Sequence, residues 1–415
     1  MKPFLYFFAK NANTVRMETK IVKDAEHLQE KYVAIRRRLH QNAETGFCLP
    51  KTKRIVLETL ESLGLSPEET DVGAIVATVG GRGKSILLRA DMDGLPIHEK
   101  TGKPYACKTG NMHACGHDFH TAALLMAAEL LKSREKELIR PVTLLFQPAE
   151  ETLEGAKSVV EEGVLSKYKV ESAVMLHVLT ATDLKTGTLV VASGGVSAPA
   201  ADYFTVRVKG KACHGSAPQN GVDALSVCAR ILLALETLTA RELPAVEPFV
   251  LTVGKMQAGV AGNALPDTAV MQGTLRAFDE EVRAFAKKRL QEIAKGIAKT
   301  FRAKAEVLFT SGCPALKNDG GMSLAMEETL KNGIGMDGVF YSADLDGNVK
   351  KGMGGSEDFA YIAKEVPSVM LALAAGEKKK GYAYPLHHPK ADFDESVLYI
   401  GGAAYALSAF YKENG

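Results

Sequence analysis

Between residues 22 and 199 the chain alternates two textures, and that alternation narrows its possible folds more than any other feature. Short, almost wholly apolar runs ("AIVATV", "SILLRA", "RPVTLLFQ", "SAVMLHV") take turns with stretches whose apolar residues recur at helical spacing ("DAEHLQEKYVAIRRRLHQ", "TAALLMAAELLKS", "EGAKSVVEEG"). A strand without a polar face must be covered on both sides. The pattern therefore predicts an α/β fold with a mostly parallel, helix-covered sheet. In such sheets reactive groups gather where strands end and loops begin.

From 200 to 312 the texture changes. "DYFTVRVKG" alternates strictly, as in a sheet with one solvated face, and is followed by a helical stretch, two strands, a charged helix and a last strand, "KAEVLFT". This β-α-β-β-α-β order predicts a compact two-layer α+β unit able to fold by itself. After it "SLAMEETLKN", "PSVMLALAAG" and "ESVLYIGGAAYALSAFYKE" return to α/β texture, so 21–199 and 313–415 read as two parts of one discontinuous domain. Residues 1–20 ("MKPFLYFFAKNANTVRMETK") read as a leader outside the fold, with Met17 as an alternative start. The apolar stretch of that leader, about seven residues, is at the bottom of the signal-peptide range, and no clean cleavage site follows.

With 415 residues, the chain is long enough for two domains. Its formal net charge of +2 gives no basis for a nucleic-acid or membrane-surface partner. No later apolar run approaches the ~18 residues of a membrane span. The six cysteines (Cys48, Cys107, Cys115, Cys213, Cys228, Cys313) are sparse and irregular, which fits a reducing cytoplasm better than a disulfide framework.

The densest chemistry lies in "NMHACGHDFH", residues 111–120. Cys115 and His117 are two apart, so an extended loop projects both to one side, a good pair for zinc or another first-row divalent ion. Alone, the pair fits a cysteine nucleophile with its base, or a polar loop, equally well. "LLFQPAEET" ends a buried strand with Glu150 and Glu151, and adjacent like charges there are costly without a nearby cation. A solvated helix start explains one Glu better than two. His177 sits inside an apolar strand, where a lone histidine is more often structural than a ligand, and "YPLHHPKADFDE" brings His387 and His388. Taken together they point to two ions with one glutamate left free as a base. A nucleophilic cysteine has no use for paired glutamates.

Eight motifs in order ("RRRLHQNAETGF", "LLRADMDGLPI", "NMHACGHDFHTAALL", "LLFQPAEE", "GKACHGSAP", "GNALPDTAVMQGTLRAF", "GGSEDFA", "LHHPKADFDE") make the chain resemble a family of metal-dependent amidohydrolases from about residue 28 to its end. That family includes hippurate hydrolases, N-acyl-amino-acid amidohydrolases and auxin-conjugate hydrolases, within the aminoacylase and carboxypeptidase superfamily. The resemblance implies hydrolysis of N-acyl amino acids with two divalent ions per subunit, zinc or manganese, with nickel or cobalt as alternatives. It implies ligands at Cys115, His117, Glu151, His177 and His387, with His388 as the alternative last ligand. It implies that Glu150 is the general base toward a metal-bound water and that Asp91 supports the site. The wider superfamily often has a metal-binding histidine where this chain has Arg89.

The resemblance also makes 200–312 an inserted lid through which a homodimer forms. His214 would stabilise the oxyanion, often in a partner's site, and Asn263 and Arg276 would hold the substrate carboxylate. In "GGSEDFA", Gly355 and the following backbone N–H groups could face substrate, with Ser356 capping a helix; a plain capped turn fits as well. Asp118 is expected to orient a ligand, His113 and His120 to be supporting or structural, and "RRR" at 36–38 to be a solvated helix face. The rivals are a dipeptidase or carboxypeptidase of the same superfamily and a non-catalytic metal-binding homologue.

Overall fold

The computed structural model describes residues 12–345 and 355–412. Its sixteen strands are numbered along the chain. Eight form the main sheet: β1 (Glu68–Glu69), β2 (Ile75–Val79), β3 (Ser85–Asp91), β4 (Val142–Gln147), β5 (Val170–Leu179), β6 (Leu189–Val191), β15 (Val339–Tyr341) and β16 (Ser368–Ala374). They run in the order β1-β2-β4-β3-β5-β16-β6-β15. The central pairings β4·β3, β3·β5 and β5·β16 are parallel, as is β6·β15 at one edge. β3, β4 and β16 are buried at every position, so both faces must be covered. One face packs against α1 (Ala12–Gln41), α2 (Pro50–Ser62), α3 (His117–Lys132), Gly320–Ile334 and Leu398–Ser408. The other packs against Gly155–Glu161, Val164–Lys167 and Ala360–Glu365.

α1 starts at Ala12, well inside the stretch expected to be a leader. No Gly or Pro interrupts residues 12–41, so nothing in the chain stops the helix from extending to that point. Residues 1–11 of the expected leader lie outside the described residues.

The chain leaves the main sheet after β6 and re-enters it at β15. Between them β8 (Ala200–Lys209), β10 (Phe249–Ala258), β12 (Thr268–Ala277) and β13 (Lys304–Cys313) form an antiparallel sheet in the order β10-β12-β8-β13. The helices Ala224–Thr237 and Glu280–Thr300 cover one face and share a separate apolar core with it. Each helix starts on an aspartate, Asp223 or Asp279, whose carboxylate accepts two backbone N–H bonds. Two short ladders complete the unit and its root: β9 (Cys213–His214) with β11 (Ala264–Leu265), and β7 (Gly195–Ala198) with β14 (Leu316–Asn318).

Candidate functional site

Asp91 ends β3, Gln147 ends β4 and His177 lies near the end of β5, so three neighbouring strands deliver their last residues to one cleft. The loop before α3 supplies Cys115, and the first residue of α3 is His117. Gly116 between them has φ 87°, and a Cβ there would lie 2.4 Å from Val178 Cγ2. Only glycine lets this loop press against β5 while turning into the helix. Asp93, just beyond β3, accepts the backbone N–H groups of Glu150 (3.0 Å) and Glu151 (3.1 Å), fixing the paired glutamates at the exit of β4.

Two ring orientations are set by backbone carbonyls. His117 Nδ1 donates to Asp93 O and His177 Nδ1 to Val178 O, both at 2.8 Å, which leaves each Nε2 as a lone-pair donor on the cleft side. Around them, Cys115 Sγ lies 3.5 Å from His177 Nε2 and 3.3 Å from His387 Nε2. Glu151 Oε2 is 3.5 Å from His387 Nε2, while His117 Nε2 is 3.8 Å from both Glu150 Oε2 and Glu151 Oε1. His387 adopts φ 64° and is anchored by its N–H on Ala114 O. His388 instead stacks on Tyr384 and accepts from the Lys390 N–H.

Two observations bear on a cation here. His117 Nε2 and Glu151 Oε1 are buried without a hydrogen-bond partner, which is costly unless something positive joins them. One thiol, three imidazoles and a carboxylate form overlapping groups sized for a metal ion (Cys115 with His117 and His177; Cys115 with Glu151 and His387). That donor set suits zinc and its first-row neighbours, and the overlap suits two adjacent ions.

The electrostatics match a cation-binding cleft. Burial, then the Glu151 carboxylate, pushes the Cys115 thiol up. Burial pushes Glu151 up to about 7. Glu150 is raised well above the carboxylate range by burial, then by Glu357, Glu151 and Asp358. A divalent ion reverses this logic by stabilising every anionic form.

Arg89 lies beneath the cleft and is fully buried. Its guanidinium reaches Asp91 Oδ2 and Asp358 Oδ1 at 2.8 Å, Glu357 Oε1 at 3.1 Å and Gln147 Oε1 at 2.9 Å. Asp91 Oδ1 takes the Nδ1–H of His120 at 2.7 Å, and His120 Nε2 accepts the Val178 N–H, so Asp91 braces the wall that carries His177. Asp91 Oδ2 is 3.7 Å from His117 Nε2.

Three expectations need correction. The Asp118 side chain orients no ligand: it faces α1 and pairs with Arg36 Nε (2.6 Å) and His40 Nδ1 (2.8 Å), because the first turn of α3 points it away from the cleft. Arg36 is accordingly buried, on the same helix face as Tyr32 and His40, and only Arg37 and Arg38 of the "RRR" run are exposed. Ser356 does not cap the following helix, which begins at Ala360 without a side-chain cap; its hydroxyl accepts from Arg276. His113 is buried with neither ring nitrogen bonded.

A cavity of about 460 Å³ opens over the cluster and joins both units. Cys115, Glu150, Glu151, His177 and His387 line it together with Arg276 and Gly355, and Leu153, Leu179, Met370 and Leu386 add apolar surface. His214 and Asn263 do not reach it. Both are exposed, His214 on the β9·β11 ladder and bonded to Ser216, and Asn263 just before β11. Sequence reasoning missed Asp93 and Glu357. The repeated acid of "ADMDG" and the acid pair of "GGSEDFA" were their only signals.

A cleft of this kind, with a thiol, imidazoles and spare carboxylates at strand ends, defines a metal-dependent hydrolase. Residues 87–410 match the family model described as Peptidase family M20/M25/M40, and the chain belongs to that family. It is 36% identical to the N-acetyl-L-cysteine deacetylase of Bacillus subtilis, covering 89% of this chain and 85% of the relative. It is 34% identical to thermostable carboxypeptidase 2 of Saccharolobus solfataricus, covering 95% and 98%. The crystal structure of Bacillus subtilis YXEP, a dinuclear metal-binding peptidase from the M20 family, superposes with a TM-score of 0.74 at 30% identity, covering 92% of this chain and 98% of that one. The protein is therefore a hydrolase acting on amide bonds. Among the described residues no helix is long and apolar enough to cross a membrane.

Proposed function

We propose that the chain removes an acyl group (acetyl, benzoyl or similar) from the nitrogen of an amino acid, releasing a carboxylate and the free amino acid. The observation that carries this reading is a single cleft in which ligand-type donors cluster beside one further carboxylate, Glu150, with the Arg276 guanidinium lining the same cavity. Cys115, His117, Glu151, His177 and His387 would hold two divalent ions, zinc or manganese, with nickel or cobalt as alternatives. Such ions polarise a scissile carbonyl and acidify water.

The rest falls to the protein's own groups. Glu150, raised by burial among other acids, takes a proton from attacking water and returns it to the departing nitrogen. Asp91 braces His120 and, through it, the His177 wall. The Arg276 fork receives the substrate carboxylate, and the Gly355 backbone faces the same space. We assign residues 21–199 and 313–415 to the catalytic domain and 200–312 to a lid that also forms a homodimer. His214, as oxyanion donor, and Asn263 then serve the cleft of the second copy, which fits their exposure in a single chain. Six free cysteines fit a cytoplasmic setting.

A carboxypeptidase reading is favoured by the archaeal relative. Assays of metal-loaded enzyme on N-acetyl, N-benzoyl and N-acyl-diaminopimelate substrates and on dipeptides decide between the two, and preference for free dipeptides would overturn the main reading. Glu150→Gln should leave metal content intact and lower kcat by about 10²–10⁴-fold or more. Turnover surviving that change would refute the assignment of Glu150.

A further inference from the structure

Two consecutive acids, Glu357 and Asp358, enter the floor of the cleft, and they are used differently. Asp358 is saturated. Its oxygens take the Arg89 guanidinium at 2.8 Å, the Gln147 amide at 2.9 and 3.0 Å and the Ala156 N–H at 2.8 Å, and it lies behind the cavity wall. Glu357 is only half engaged. Oε1 takes the Phe359 N–H at 2.9 Å and lies 3.1 Å from Arg89 Nη2. Oε2 has no bonding partner among the described residues, although the residue is only 5% exposed and lines the cavity with Glu150 and His177. Glu150 and Glu357 each offer an oxygen within 4.8 Å of the other.

A carboxylate oxygen that lines a cavity without a protein partner is open to a donor brought by the substrate. Arg89 is shared among Asp91, Asp358 and Glu357 and reaches only the inner oxygen of Glu357. A donor that is cationic, or becomes so during the reaction, suits such an oxygen best. Hydrolysis of an N-acyl amino acid generates such a group beside Glu150: water adds to the carbonyl carbon and the C–N bond breaks. One water proton reaches the nitrogen through Glu150, and the acid proton of the new carboxylic acid follows it. Carboxylate and ammonium result.

We propose that Glu357 is a further catalytic residue whose free oxygen accepts the N–H of the scissile amide and then holds the ammonium of the departing amino acid next to Glu150. This inference rests on the amide-hydrolysis reading above. It separates the duties of two neighbouring acids: Glu150 moves the proton, and Glu357 keeps the nitrogen in place to receive it. Charge-assisted hydrogen bonds of this kind strengthen as the nitrogen gains charge, so the effect falls on kcat rather than KM.

The test compares wild type with Glu357→Gln on an N-acyl amino acid and on the matched ester, the O-acyl hydroxy acid of the same skeleton, which has no N–H and releases no ammonium. The glutamine keeps the volume and the inner acceptor oxygen. Amide kcat should fall roughly 30-fold with KM little changed, ester kcat should stay within about 3-fold, and bound metal and melting temperature should hold. Equal losses on amide and ester, or loss of metal, would overturn the proposal, because Glu357 would then act through the fold, the ions or Glu150. Should the variant fail to fold, product inhibition of the wild type decides. The free amino acid should bind at least about 10-fold tighter than its hydroxy-acid counterpart, and equal binding overturns the assignment. A wild type that cleaves no N-acyl amino acid refutes the activity reading instead, and the product-binding comparison still decides on Glu357.

Discussion

In the main sheet β3, β4 and β16 are buried along their whole length, whereas β10 of the four-stranded sheet is exposed or half-exposed at all but its first position. The difference follows from coverage: helices lie on both faces of the first sheet and on one face of the second. It also divides the chemistry. Among the candidate ligands on the first unit, His117 and His177 have their rings, and Glu151 and His387 their backbones, fixed by neighbouring groups, as with Asp93 under Glu150 and Glu151. The second unit offers Arg276 at the cleft edge, held by one hydroxyl, and His214 on an open ladder. A site that must hold closely spaced charges in fixed positions needs the first kind of support. One that meets substrate, or another subunit, can use the second.

If burial on the first unit is what organises the cleft, the largest effect should come from Cys115→Ser, which swaps the soft donor shared by both candidate groups. Activity should drop at least about 100-fold, with metal loss seen by elemental analysis. Full metal content after the exchange would remove Cys115 from the ligand set. Gly116→Ala comes next. The new methyl would meet Val178 at 2.4 Å with φ at 87°, so stability should fall by about 2–4 kcal/mol, read from denaturant midpoints. An alanine variant as stable as wild type would mean that the loop is not pressed against β5. On the second unit Arg276→Lys loses the planar fork but keeps the charge. KM should rise about tenfold, with little change in kcat or melting temperature.

The smallest effect is a pH dependence. Burial works against a charged His40 ring, but Asp118 and Glu99 outweigh it and push the group up to about 9 from its ordinary 6.5. Because the folded value is the higher one, its stabilisation is complete below about pH 6.5 and fades as pH rises through about 9. It is worth on the order of 1–3 kcal/mol. Melting temperatures from pH 6 to 10 should fall more steeply for wild type than for His40→Asn, and parallel curves would exclude His40 as the source.

The main sheet was legible because wholly apolar strands admit few arrangements, and the inserted unit because its alternation breaks that pattern. The cluster at the cleft base was legible through residue types that are expensive at strand ends: paired glutamates after an apolar run, a histidine inside one. Arg36 was misjudged because charge suggests exposure and Asp118 because it follows His117 directly, and only the three-dimensional meeting of α1 with α3 reveals their pairing. Glu357 carried little signal, since an acid near a helix start is ordinary, and only the saturation of its neighbour Asp358 exposes the contrast. The extent of α1 was hidden by a leader-like composition, although residues 12–20 of it contain no helix breaker.

The ladder between Gly195–Ala198 and Leu316–Asn318 has a consequence for how the polypeptide can be cut and rejoined. Ala198 and Leu316 are cross-strand neighbours, so the chain departs for the second unit and comes back at nearly the same point. A tight turn of about two to four residues joining those strands would close the gap. Excising 200–312 would thus leave the eight-stranded sheet with its order intact, and the removed piece already owns its core. The architecture is modular in the sense that a gene could gain, lose or exchange the outer unit through one splice, keeping the donor cluster at the strand ends and changing only the Tyr203 and Arg276 part of the cavity lining.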